Sequence, residues 1–97
     1  MSQNTASQLI KYLTTKLCQQ REYPKTICPS EVARKLSREE LDVIGLREWR
    51  EAMPHIRKVA WEMCKRGDVE VLQKGVVIDA ATPDDVTGPI RVRAIQK

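Results

Sequence analysis

Apolar positions early in the chain recur at helical spacing. Ala6, Leu9, Ile10, Leu13 and Leu17 fall three and four apart, while Lys11, Thr14, Thr15 and Cys18 take the other side. This predicts a helix over residues 5–21, capped by Asn4 or by Thr5 with Gln8 three residues on. Pro24 ends it by driving Tyr23 out of the helical region. A second helix is expected over residues 29–36, with Pro29 at its first position, Glu31 in its first turn and Val32, Ala33 and Leu36 as its apolar stripe. Ser37 and Glu40 repeat a capping box and open a short helix that Gly45 would close. From Leu46 to Arg66 the pattern is helical again, with a kink or fresh start at Pro54.

After Gly67 the period changes to two. Val69 to Gln73 reads as a strand, Lys74-Gly75 as a turn and Val76 to Ile78 as the return strand. Asp79 to Gly88 reads as loop, and Pro89 to Ile95 alternates as a last strand. Three or four helices followed by a small antiparallel sheet predict an α+β single domain over residues 1–97. The order is that of a winged helix-turn-helix, in which residues 54–66 would be the groove-entering helix and residues 69–95 the wing and strands.

Angles refine that expectation. On a step of about 100° per residue from Ile56, the apolar Ile56, Val59, Ala60 and Met63 group together, whereas Arg57, Lys58, Trp61 and Lys65 fall at roughly 100–200°. Over residues 54–67, Arg57, Lys58, Lys65 and Arg66 stand against Glu62, a local charge of +3. The predicted nucleic-acid contacts are therefore Arg57, Lys58 and Lys65 on phosphate, Trp61 stacked on or covering a base edge, and Lys74 at the wing turn. The competing reading is a solvated helix face with Trp61 packed beneath the wing or at a dimer interface.

The chain has 97 residues, 41% hydrophobic and 31% charged, with a formal charge of +4 and no Phe. Such a composition fits one small globular domain and excludes disorder and a large enzyme scaffold. The charge divides as +3 over residues 1–27, +2 over 28–66 and −1 over 67–97. Asp84-Asp85 in the wing would repel phosphate. Arg91 and Arg93 share a strand face on which Glu70 is expected to pair across the sheet.

Candidate chemistry is sparse. Cys18, Cys28 and Cys64 are unpaired in pattern and His55 has no cysteine at zinc-finger spacing, so no metal or cofactor is expected. Cys28 at a helix start is the best thiol for catalysis or redox sensing, although a packed or capping role explains it better. There is no phosphate-binding glycine loop, and Glu39-Glu40 and Asp84-Asp85 are adjacent rather than convergent, so no enzyme is expected. No signal peptide or spanning helix is predicted, which together with the cysteines points to the cytoplasm.

Several short stretches then occur in a distinctive order: Cys28-Pro-Ser-Glu-Val-Ala-Arg34, Trp49-Arg50, Met53-Pro54 with Arg57, Gln73-Lys74-Gly75 with Asp79, and Gly88-Pro-Ile-Arg91. Together they resemble a family of small bacterial proteins known only as a domain of unknown function, over about residues 27–93. The resemblance implies a winged-helix-like fold and no activity. Arg38 to Leu46 is longer than the connection usual in that family. Arg34, Arg50 and Arg57 can be DNA contacts or bridges to Glu31, Glu48 or Asp79 that brace the wing; the structural role is preferred for Arg34, Arg50 and Arg91 and the contact role for Arg57. The expected function is regulatory binding of nucleic acid, double-stranded DNA in particular. The alternative is a protein-interaction module with Trp61 in its contact patch.

Overall fold

A computed structural model describes residues 3–78 and 86–95. The chain runs α1 (Gln3–Arg21), α2 (Pro29–Arg34), α3 (Arg38–Val43), a 3-10 turn (Trp49–Ala52), α4 (Met53–Lys65), β1 (Val69–Gln73), β2 (Val76–Val77) and β3 (Arg91–Ala94). This is an α+β fold, four helices followed by a three-stranded antiparallel sheet in the order β2-β1-β3, and its layout is compatible with a winged helix. No helix among the described residues is long and apolar enough to cross a membrane.

Local signals act much as expected in the middle of the chain. The Ser37 hydroxyl accepts from the Glu40 amide at 3.0 Å while the Glu40 carboxylate accepts from the Ser37 amide at 2.9 Å, so α3 starts in a reciprocal capping box. At its end Leu46 N–H reaches Leu41 O at 2.8 Å and Gly45 N–H reaches Asp42 O, the paired bonds of a Schellman cap. Pro54 does begin a new helix, which follows directly on the 3-10 turn. A second Schellman cap at Gly67 (φ +80°) sends the chain from α4 into β1. Lys74 and Gly75 both have positive φ, the type I′ pattern that suits a two-residue hairpin.

Other boundaries differ. The first helix begins at Gln3, so Asn4 and Thr5 lie within it rather than before it. The apolar stripe marks where packing starts, not where the backbone begins to coil. Thr14 and Cys18, expected on the polar side, are buried, because α4 and β3 both pack on α1 and widen its covered face. The Thr14 hydroxyl is satisfied by Ile10 O at 2.7 Å. The second helix stops at Arg34, yet Leu36 stays in the core just beyond it. Ile27, in the segment read only as a helix breaker, exchanges two backbone hydrogen bonds with Val92 at 2.7 and 2.8 Å and so extends the sheet past β3. The expected loop at 79–85, including Asp79 and Asp84-Asp85, lies outside the described residues, as does Lys97.

The main core joins Ile10, Ile27, Val32, Ile56, Val59 and Met63 with Val69 and Val92. A second, smaller cluster of Trp61, Val71 and Ile90 lies between α4 and the sheet. Helix α4 therefore packs on two sides at once, against α1 and α2 and against β1.

Candidate nucleic-acid interface

The two packed sides of α4 decide which of its residues meet solvent. Lys58, Glu62 and Lys65 are exposed along one ridge, with Pro54 at its start and Arg66 at its end. Arg66 is held by Asp68 at 3.2 Å, but no ion pair engages Lys58 or Lys65 among the described residues. The two lysines are seven positions apart, so their Cα atoms are about 10 Å apart along the helix axis. Glu62 lies between them and lowers the charge of the ridge.

Two of the expected contacts are placed differently. Trp61 is 4% exposed and packs with Val71 and Ile90 beneath the sheet, so it is not on the outward face. A single buried face on α4 would leave Trp61 outward; the sheet covers a second face, which takes in the Trp61 direction. Arg57 is half-buried, and its guanidinium donates to Gly88 O at 3.1 Å and Val86 O at 3.2 Å. It ties the segment before β3 to α4 through two of its five N–H donors. Gln73 reinforces the tie, its side-chain amide donating to Thr87 O at 2.6 Å. Lys74 is exposed at the hairpin tip with φ of +53°, a conformation that favours Gly or Asn. Lys58, Lys65 and Lys74 thus remain as available cations, and Arg57 and Trp61 hold the sheet in place.

The other arginines sort by what engages them. Arg93 pairs with Glu70 at 3.1 Å, directly across the β1–β3 ladder as expected, and lies over the Tyr23 ring. Arg91 does not join that pair; it donates to the Thr26 hydroxyl at 2.9 Å and to Thr26 O. Arg21 pairs with Glu31 and also donates to Thr26 O. Arg38 donates to Asp42 and to Leu46 O, pinning the long connection after α3. Arg34 and Arg50 both lie over the Trp49 ring, at 4.8 and 4.5 Å from its centroid. Arg34 thus bridges neither Glu31 nor Glu48, Asp79 lying outside the described residues, and Arg50 reaches Glu48 only at 4.0 Å. This double stack was not foreseen, although the adjacent Trp49-Arg50 pair was its visible trace.

The candidate thiol and histidine are occupied locally. Cys28 precedes α2, its amide donating to the Glu31 carboxylate at 2.7 Å and its sulfur accepting from the Ser30 hydroxyl at 3.1 Å. Partial burial works against the charge on Glu31, but the Cys28 amide and the Arg21 guanidinium outweigh it and hold the carboxyl below its usual range. Burial pushes the Cys18 thiol up to about 11, against a partial pull from Arg21, so it behaves as a small hydrophobe. His55 Nε2 is 3.0 Å from the Ser7 hydroxyl and links α4 to α1. No three His, Cys, Asp or Glu side chains among the described residues are grouped to hold a metal ion.

No curated protein matches the chain. Residues 7–95 match the DUF3253 family of proteins of unknown function, a span that takes in α1 as well as the stretches carrying the resemblance, and the chain belongs to that family.

Proposed function

We propose that this chain is a winged-helix domain that binds double-stranded DNA through Lys58, Lys65 and Lys74, in a regulatory role. The observation that carries the reading is the placement of Lys58 and Lys65. They are exposed, and make no ion pair among the described residues, on the last helix before the hairpin, whose remaining faces are covered by helices and sheet. In a winged helix that element enters the major groove. Lys74 stands at the tip of the hairpin packed on the same helix, where a wing meets flanking phosphate. Trp61 and Arg57 contribute by fixing the angle between α4 and the hairpin. Three unpaired cysteines suit the reducing cytoplasm.

The test is fluorescence anisotropy of a labelled duplex at several salt concentrations. Intrinsic tryptophan emission is a poor reporter, because Trp61 is buried and Trp49 is stacked by arginines. Binding weakens with salt, and Lys58→Ala with Lys65→Ala flattens the log–log slope by nearly two units, at about 0.9 per phosphate contact. Glu62→Gln removes the acid between them and strengthens binding several-fold. No binding at low salt, or a slope unchanged in the double variant, refutes the reading.

A second reading, docking of a protein, is favoured by β2. Val76 and Val77 on this edge strand are 65% and 45% exposed, an apolar pair at an open edge. The patch formerly assigned to Trp61 is not available for it. Association that persists at high salt and is lost in Val76→Lys distinguishes this reading.

A further inference from the structure

Most arginines of this chain are held by their edges: their N–H groups donate to carboxylates, a hydroxyl or backbone carbonyls. Arg34 and Arg50 are held by their faces. Each lies over the ring of Trp49, and neither makes a hydrogen bond among the described residues. A guanidinium stacked on an aromatic ring keeps its in-plane N–H fork free, and that fork matches the oxygens of a phosphate. The ring is a firm platform. Trp49 packs against the main core, and it opens the 3-10 turn whose Ala52 is fully buried. The start of that turn is fixed by the Glu51 carboxylate, which accepts from the Arg47 and Glu48 amides at 2.7 and 3.1 Å.

The charges there are not balanced. Two cations share one ring, and the nearest carboxylate, Glu48, reaches only Arg50 at 4.0 Å. The Arg50 side chain is 69% exposed, so its fork opens to solvent and not into a cavity. An exposed site of this kind suits a repeating anion along a polymer better than a small molecule that needs enclosure. Two guanidiniums already lie over the ring, which suits the site to backbone contact rather than to stacking of a base.

We propose that Arg34, Trp49 and Arg50 form a second phosphate-binding point, gripping the phosphodiester backbone of the nucleic acid; this rests on the DNA-binding reading above. The site is preorganised: Trp49 orients both forks before any ligand arrives, so little side-chain freedom is lost on binding.

Two measurements test it on the full chain. Titration with inorganic phosphate at constant ionic strength, followed by NMR, shifts the Trp49 indole N–H and the Arg34 and Arg50 Nε–H signals; no shift overturns the site. In the duplex assay, Arg34→Ala with Arg50→Ala lowers the salt slope by one to two units. Arg34→Lys with Arg50→Lys keeps the slope but weakens binding at least threefold, because lysine retains the charge and loses the fork. Full affinity in the lysine variant overturns the stacked receptor. Glu48→Gln, which removes the competing carboxylate, tightens binding about twofold. If the Lys58 and Lys65 variants lose binding while the Arg34 and Arg50 variants do not, this proposal fails and the DNA-binding reading stands. If the wild-type chain binds no duplex, that reading fails and this one falls with it. Circular dichroism and urea midpoints establish that each variant is folded.

Discussion

Truncating Trp61 separates a packing residue from a contact residue. In the folded chain its indole is almost wholly buried with Val71 and Ile90, flanked by Cys64, Ile78 and Val86. A tryptophan buries roughly 200 Å² or more, which at about 25 cal/mol per Å² sets an upper bound near 5 kcal/mol. Trp61→Ala leaves a cavity between α4 and the sheet and is expected to cost about 3–5 kcal/mol. A domain of 97 residues has about 5–15 kcal/mol in all, so the variant would be marginal. At about 4–8 °C per kcal/mol for this size, the melting temperature falls by about 12–40 °C. Trp61→Phe fills part of the gap and costs about 1–2 kcal/mol, which keeps the protein folded for binding measurements. Urea unfolding followed by circular dichroism gives the free energies, and duplex anisotropy gives affinity and salt slope. The Phe variant keeps the wild-type slope. A Trp61→Ala variant that loses less than about 1 kcal/mol yet binds DNA tenfold more weakly would refute the packing assignment.

Three further substitutions probe the same framework. Arg57→Ala removes two charged donors from Val86 O and Gly88 O at a partly exposed site and costs about 1–2 kcal/mol, with faster amide exchange in residues 86–92 and an unchanged salt slope. Lys74→Asn places a residue tolerant of positive φ in the hairpin turn; urea unfolding gains about 0.5–1 kcal/mol while the DNA salt slope falls by about one unit. Glu31→Ala removes the acceptor for the Cys28 amide and the partner of Arg21 and costs about 1–2 kcal/mol at pH 7. Because the folded Glu31 pKa is lowered, its stabilisation is complete above the unfolded value of about 4.3 and is lost as pH falls through the folded value. The gap between wild-type and variant midpoints therefore closes in acid; a gap constant from pH 7 to pH 2 would show that charge has no part in it.

What could be read from the sequence was whatever depends on neighbours in the chain. The Ser37–Glu40 box, the Gly45 stop, the restart at Pro54 and the Lys74-Gly75 hairpin each need only residues a few positions apart, and each is present. The Glu70–Arg93 pair was also legible, because alternation fixes the strand faces and Glu70 was the acid available to that face. Features that need a second packing partner were not. Ile27 pairs with Val92 sixty-five residues away, and nothing local in Thr26-Ile27-Cys28 announces it. Thr14 and Cys18 were assigned outward by a wheel that allowed α1 a single buried face, and Trp61 was misplaced by the same assumption on α4.

The candidate site turns on a distinction that composition does not carry. Arg57 and Arg66 contribute to the +3 local excess of residues 54–67, yet one is spent on backbone carbonyls and the other on Asp68. The exposed ridge of α4 then keeps Lys58 and Lys65 against Glu62, a much weaker field than the count suggested. Arg34 and Arg50 lie outside that stretch, Arg50 only four positions before it, and were the residues expected to form structural bridges, yet neither makes a hydrogen bond among the described residues. A guanidinium whose edge is satisfied stabilises the fold, and one whose face is supported can still bind an anion. Charge arithmetic treats the two alike, so a local count does not separate Arg57 and Arg66, which are engaged by carbonyls and by Asp68, from Arg34 and Arg50, which lie over the Trp49 ring.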